Sequence, residues 1–479
     1  DAAKNELHIE MPDWEEGGQE KSINREVDEK ISGFSSEISF PQSAVCVITE
    51  GRDQWRTYVN GKDVSTIERG THQVQVASSI DVYIKLNGKF RILRDNKHSI
   101  TSLKFEKTIP VTIGFRSQVR SPNFTINSPA KADDLATAIS YLSVEIETDN
   151  PDKSYPSLRG YPPLIEVKDK LHIPDQIVEQ FNENGIIIKV PNELSNIFQF
   201  APLTYYLQAQ LIAESINSPK LIIPDHDINL KLSNDTKSKL NPMNLLKRFF
   251  WLDCIFRNEG PFGVELLEKE IVTNLNHNID DIYSLSPESR ASTYLNLDFG
   301  SIKSRFPDWH LSTYLNPRED YISTIPHLLE RLSLIYSAES NVASFDELIN
   351  NSQDLYYRST RQKNSKSSIH RATPKSPIIK RSRAHGWLAE DYPINVFKMV
   401  PEAFDNYLNK LESVNEEKKI VVIQNDCDMV EEKSIVSEKY SDRNNELSIN
   451  VSILDNINKD ELLALFHSPI DFIHYIGHC

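Results

Sequence analysis

Asp471-Phe472-Ile473-His474-Tyr475-Ile476-Gly477-His478-Cys479 decides how the C-terminal region is read. Phe472–Ile476 is rich in β-branched and aromatic residues, the composition of a short strand. Working back from it, Asn458 opens a helix that runs through Phe466. Glu461, three residues on, completes an Asn-x-x-Glu variant of the capping box. Leu447–Leu454 alternates as a strand, and Met429–Tyr440 has helical spacing. Lys419–Gln424 contains the continuous apolar run Ile420-Val421-Val422-Ile423 and ends in Asn425-Asp426. Glu402–Leu411 is a further helix. The order β-α-β-α-β with apolar strands predicts a parallel sheet covered on both faces. Functional side chains in such sheets gather at the carboxyl ends of strands, which is where His478 falls.

Residues 471–479 resemble the D-x-x-H-x-x-G-H-G strand of CHAT domains, which are caspase-like cysteine peptidase domains. The resemblance covers about 90 residues, 390–479, of which the last strand is the specific part. The whole chain is also similar to a large archaeal family, common in haloarchaea, whose members end in such a domain. Two segments carry that likeness: Ser154-Tyr155-Pro156-Ser157-Leu158-Arg159-Gly160-Tyr161-Pro162-Pro163 and Trp251-Leu252-Asp253-Cys254. The resemblance implies that His478 is the general base or acid of a Cys–His dyad, with Gly477 and His474 supporting it. The chemistry is that of an activated thiol. A free thiol near pKa 8.5 is only slightly ionised at neutral pH, and an adjacent imidazole activates it, then protonates the leaving amine. The family nucleophile lies on the next strand, some tens of residues downstream, and no residue here matches it. The chain starts at Asp1 and stops at Cys479, so a fragment without its nucleophile is expected, inactive by itself. The family usually has Gly after the histidine, and its backbone N–H helps form the oxyanion hole. Here that N–H belongs to Cys479, whose Cβ restricts the backbone.

The same residues admit other readings. On a helix, His474 and His478 would be placed to chelate a metal; on a strand they stand ~13 Å apart, too far for one ion. His474 then reads as a buried, hydrogen-bonded histidine. Asp225-His226-Asp227 follows Pro224 in a polar stretch and reads as a surface turn. Cys427 precedes His478, opposite to the family order, and reads as a loop cysteine. The chain has no CxxC, HExxH, GxxxxGK[ST] or GxGxxG. No metal and no cofactor are expected.

The remaining chain divides by composition. Residues 1–33 hold ten acids against four bases and read as an acidic, disordered lead-in. Residues 34–130 read as an all-β, sandwich-like domain. It contains Val45-Cys46-Val47-Ile48, strands at Ile100–Phe105 and Val111–Phe115, and two Asn-Gly pairs, Asn60-Gly61 and Asn87-Gly88, suited to two-residue hairpins. Residues 131–345 read as a middle α/β domain, with an inactive peptidase copy as one reading of it. Expected there are a helix Ala132–Leu142, an extended Ser143–Glu147, a strand Ile186–Val190, a helix Ala201–Ser215 and a strand Leu221-Ile222-Ile223, the last three forming a βαβ crossover. Pro242–Arg257 is a core helix, and Trp309–Leu315 and Leu334-Ile335-Tyr336 are strands flanking a helix at Pro326–Leu332. Residues 346–389 read as a basic linker, because no acid occurs between Asp354 and Glu390. The fold class expected is therefore multidomain: an N-terminal β domain, a middle α/β domain and an incomplete C-terminal caspase-like three-layer α/β domain.

Composition narrows the partners. With 479 residues, about three domains are expected. The net charge of −16 disfavours nucleic acid or an anionic membrane as the main partner. The basic linker is the one weak exception for nucleic acid. No run of 18 apolar residues suggests a membrane span. Four scattered cysteines fit a reducing compartment, and a cytoplasmic location is expected. The expected partners are a protein or peptide substrate, and proteins docking on the β domain. The leading function is a caspase-like cysteine peptidase acting in regulated cleavage or signalling. The alternative is a non-enzymatic interaction scaffold with a degenerate peptidase fold.

Overall fold

The computed structural model describes residues 6–23, 27–41, 43–49, 55–59, 64–78, 80–95, 98–117, 121–146, 148–259, 266, 268, 279–297, 306–342, 374–412, 418–426, 429–443, 449–468 and 470–477. The chain is a mixed α/β protein of several sheets and helices, in two compact units. One unit is Asp1–Ala338 with Ile379–Ala389; the other is Glu339–Ile378 with Glu390–Cys479.

The first unit opens with an antiparallel sheet of seven strands. They are β1 (Glu15–Glu16), β2 (Glu29–Pro41), β3 (Ala44–Thr49), β4 (Trp55–Val59), β5 (Val64–Ala77), β6 (Ile80–Asp95) and β7 (Ile100–Ser117), ordered β1-β2-β7-β6-β5-β3-β4. Pairing is irregular at one level across four neighbours. The breaks fall between Ser35 and Glu37 in β2 and between Leu86 and Phe90 in β6, both facing residues 104–111 of β7, and between Ile67 and Gly70 in β5, facing residues 88–90 of β6. Such irregularities bend strands, and a row of them creases the sheet. Ile38, Phe90, Ile92 and Leu103 on one side of the crease share a single buried core with Val74, Ile84, Leu86 and Ile113 on the other.

This sheet corrects two expectations, and a third falls outside the described residues. Asn87-Gly88 makes no hairpin: β6 runs through it, with Gly88 at φ +154° and paired with Gly70 at the crease. The same dipeptide that favours a tight turn also supplies the backbone freedom a bulge needs. Asn60-Gly61 lies outside the described residues, and the strands either side of it, β4 and β5, flank β3 rather than pairing together. The lead-in is not disordered where it is described. Leu7, Ile9, Met11 and Trp14 pack on the core, β1 pairs with β2, and Ile23 is buried. Gly114 lies under this strap, where any Cβ would meet Ile23 Cδ1 at 2.7 Å.

The α/β part follows. β8 (Thr125–Ser128) pairs in parallel with β9 (Leu164–Val167), and α1 (Ala132–Ser140) lies between them in sequence. Residues 141–145 are a 3-10 turn, not the expected extended segment. The short α2 (Asp175–Gln180) precedes β10 (Ile187–Pro191), α3 (Leu194–Leu207) and β11 (Gln210–Glu214). The expected helix 201–215 therefore starts and ends earlier. Gln208 turns left-handed at φ +54° and closes α3, and residues 210–214 leave as a strand parallel to β10. β12 (Lys220–Ile223), expected to close the crossover, pairs antiparallel with β10, and β13 (Ile228–Lys231) continues the sheet. Its order is β11-β10-β12-β13, which leaves β11 on an edge. α4 (Pro242–Glu259) buries Leu245, Leu246, Phe249, Leu252, Ile255 and Phe256, as a core helix should. α5 (Ile279–Ser284) and α6 (Pro287–Asn296) follow.

β14 (Trp309–Leu315) and β15 (Leu334–Ser337), joined through α7 (Ile325–Glu330), are parallel neighbours. β16 (Ser340–Val342) and β17 (Pro374–Pro377) belong to the second unit. β18 (Ser382–Leu388) returns to the first and pairs in parallel with the other side of β14. Tyr336, Tyr314 and Trp387 occupy one register row across the three strands and stack ring to ring. The expected basic linker 346–389 thus does not extend through 374–389, where β17 and β18 lie and Trp387 and Leu388 are buried; residues 343–373 are outside the described residues.

In the second unit, β16, β17 and β19 (Tyr392–Pro393) form a small sheet, and β20 (Phe397–Lys398) is a two-residue strand. α8 (Pro401–Glu412), β21 (Lys418–Gln424), α9 (Val430–Arg443), β22 (Ile449–Asp455), α10 (Lys459–Phe466) and β23 (Phe472–Ile476) follow. β22-β21-β23 is an all-parallel sheet. Its core is Ile420, Val422 and Ile476, packed by Met429, Val436, Tyr440 and Val451. α10 starts with the expected capping box: Asn458 Oδ1 accepts from the Asp460 and Glu461 N–H groups, and Glu461 Oε2 accepts from the Asn458 N–H. Among the described residues, no helix is long and apolar enough to cross a membrane.

Candidate functional site

Three carboxyl strand ends converge in the second unit. Gln424, Asp455 and Ile476 share one register row, and each chain leaves the sheet at that level. Asn425, next after β21, ties the three exits together. Its backbone N–H donates to the Ile476 carbonyl at 2.9 Å. Its side-chain Nδ2 donates to the Ile457 carbonyl at 2.8 Å, and its Oδ1 accepts from the Ile457 N–H at 2.9 Å. The Asn456 N–H donates to the Gln424 carbonyl at 2.8 Å. Gln424 is buried and donates to the Asp426 carbonyl. Lys433 of α9 pairs with Asp455 at 2.6 Å. The ring of polar groups is therefore built largely from backbone amides held by one side chain. No motif in the sequence signals Asn425.

The motif residues divide between the two ends of β23. Asp471 works at the start: its Oδ2 accepts from the Lys419 N–H at 2.9 Å, and its own N–H donates to the Lys419 carbonyl at 3.0 Å. It sets the register of β23 on β21. His474 is half-buried, with Nδ1 at 3.1 Å from Tyr440 Oη on α9, and its ring meets Tyr440 and Phe472 edge-on. The hydrogen bond is the one expected of His474, but the side chain is half-buried rather than buried. Gly477 is at φ +154°, and a Cβ there would come within 3.3 Å of the Tyr475 ring. A residue other than glycine would strain the turn that leads out of β23. His478, Cys479 and Cys427 lie outside the described residues. Among the described residues, no cluster of three or more His, Cys, Asp or Glu side chains is placed to hold a metal. The Asp225-His226-Asp227 stretch is a 3-10 turn followed by a left-handed residue, with His226 Nε2 3.1 Å from Ser289 Oγ.

A second polar cluster, in the first unit, joins the two segments on which the whole-chain likeness rests. Asp253 is buried and accepts from Tyr206 Oη at 2.6 Å and Tyr294 Oη at 2.9 Å, with Arg290 Nε at 3.7 Å. Arg159 Nη1 donates to the carbonyls of Lys153 and Ser154, and Arg257 donates to Ser154 Oγ at 2.9 Å. Burial pushes Lys153 down to about 8 and pushes the Cys254 thiol up, so Cys254 is a poor nucleophile. The cavity among Lys153, Asp253, Arg290 and Tyr294 is about 10 Å³, room for roughly one water molecule. This cluster packs the interior. Lys153, Tyr206, Arg290 and Tyr294 are separated in sequence and carry no spacing that announces them.

No protein-family model, no curated protein and no solved structure matches the chain.

Proposed function

We propose that the second unit is part of a caspase-like cysteine peptidase domain of the CHAT type, and that His478 is the base and acid of its Cys–His dyad. One observation carries this reading. The motif strand β23 is a parallel neighbour of the apolar strand β21, and Gly477-His478 follows directly where three carboxyl ends converge. In this reading Asn425 holds the strand exits rigid, and Gly477 lets the backbone turn where β23 ends. His474 anchors β23 to α9 and stays out of the chemistry. The oxyanion would meet the Cys479 backbone N–H. In the family pattern a cysteine on a later strand supplies the nucleophile. His478 would take the proton from its thiol, the thiolate would add to the scissile carbonyl, and the C–N bond would break as the imidazolium returns that proton to the leaving amine, leaving a thioester that water hydrolyses.

The test uses the complete gene product. A peptidyl fluoromethyl ketone should alkylate one cysteine in the wild type and react at a background rate with His478→Ala. Equal labelling of both proteins removes His478 from the dyad. A non-enzymatic scaffold is the second reading. The exposed Ile453, Leu463, Phe466 and Phe472 favour it, because apolar side chains on this unit suit partner binding. It predicts no labelling in either protein.

A further inference from the structure

The free edge of β11 in the first unit borders a groove of about 280 Å³, close to the lower end of ligand pockets. Ladder geometry fixes which backbone groups face it. The Gln210 N–H donates to the Ile186 carbonyl, and the Glu214 carbonyl accepts from the Asn192 N–H, so residues 210, 212 and 214 point toward β10. By strand alternation, Leu211 and Ala213 point outward. The Leu211 N–H is taken by Ser140 Oγ of α1 at 2.8 Å. Ser140 thus closes one end of the edge, and Ala213 presents its N–H and C=O at the other. Tyr141 and Phe181 form an aromatic wall, their ring centroids 4.6 Å apart. Asp133 and Glu183 are exposed on the rim, with no basic side chain among the groove's lining residues.

We propose that this groove binds a short extended peptide segment carrying a lysine or arginine side chain, by addition to the β11 edge. The Ala213 backbone supplies main-chain hydrogen bonds, which hold an added strand whatever its sequence. The aromatic wall takes the aliphatic stem of a basic side chain, and Asp133 and Glu183 attract its charged head. An exposed edge with a walled groove is otherwise an aggregation liability, and here Ser140 and α1 restrict it to short partners.

The test uses the full chain and a fluorescent Ser-Val-Lys-Val-Arg-Ser peptide, followed by anisotropy up to about 1 mM. Two control peptides accompany it, one with glutamates replacing the basic residues and one with N-methylated valines. Saturable binding is expected for the basic peptide alone, with a loss of at least about tenfold for either control. The double variant Asp133→Asn/Glu183→Gln should weaken binding about tenfold, with an unchanged circular dichroism spectrum. Ala213→Pro should abolish binding, and if that variant fails to fold, the N-methylated peptide removes the same hydrogen bonds from the other side. Absence of binding by the basic peptide, or binding indifferent to both N-methylation and the loss of the acids, would overturn the proposal.

Discussion

Two parallel sheets in this chain share one strand order and differ in what their carboxyl ends carry. In each, the first strand is central, the second lies on one side and the third on the other: β15-β14-β18 in the first unit, β22-β21-β23 in the second. In the first, the row near the carboxyl ends is Tyr336, Tyr314 and Trp387, a stack of rings buried in the interior. In the second, the last row is Asp455, Gln424 and Ile476, opening onto Asn425 and Gly477. The same topology serves packing where aromatic side chains fill the strand ends, and suits chemistry where polar groups and backbone amides are left there. The topology alone therefore does not assign function; the side chains at its ends do.

Substitutions can break or sharpen that contrast. The largest effect is expected at Trp387→Ala, which removes the buried end of a ring stack and should cost about 3–5 kcal/mol, read as a lowered denaturant midpoint. Lys153→Met should stabilise the first unit. Lys153 titrates near 8 in the folded chain against an ordinary 10.5. Between those values the unfolded chain holds a proton that the folded chain lacks, so stability rises with pH across that window. Below it the burial penalty is carried in full. The methionine variant should gain roughly 3 kcal/mol at pH 7 and lose this pH dependence. Asn425→Ala removes the two side-chain bonds to Ile457 and should cost about 1–2 kcal/mol, with hydrogen exchange accelerated at residues 456 and 457. The smallest effect is expected at Phe472→Ser on β23, the third strand of the second sheet as Trp387 lies on that of the first. Phe472 is 52% exposed, and the change should stay within about 0.5 kcal/mol in a thermal melt. A large loss there would mean that the second sheet is packed like the first.

The C-terminal sheet was legible because each of its signals is local. Ile420-Val421-Val422-Ile423 is apolar without interruption, and Asn458 with Glu461 is a two-residue helix start. Elsewhere local signals misled for physical reasons. Leu211 and Ile212 continue the apolar stripe of α3, and the turn that separates them is a left-handed Gln208, which no glycine announces. The acid count of the lead-in hid Leu7, Ile9, Met11 and Trp14, four apolar anchors sufficient to dock it. In the candidate site, Asp471, His474 and Gly477 were visible as a motif, but their division of labour was not. Asp471 sets register, His474 bonds Tyr440, and Gly477 turns the chain. Asn425 was invisible, since a polar residue after a strand reads as any loop until its partners at 457 and 476 are seen.

The most direct test of the central claim is peptide cleavage by the complete gene product and two variants, His478→Ala and His474→Ala. The account predicts that kcat/KM falls by about a hundredfold or more for His478→Ala, while His474→Ala retains cleavage. Equal cleavage by wild type and His478→Ala would contradict it.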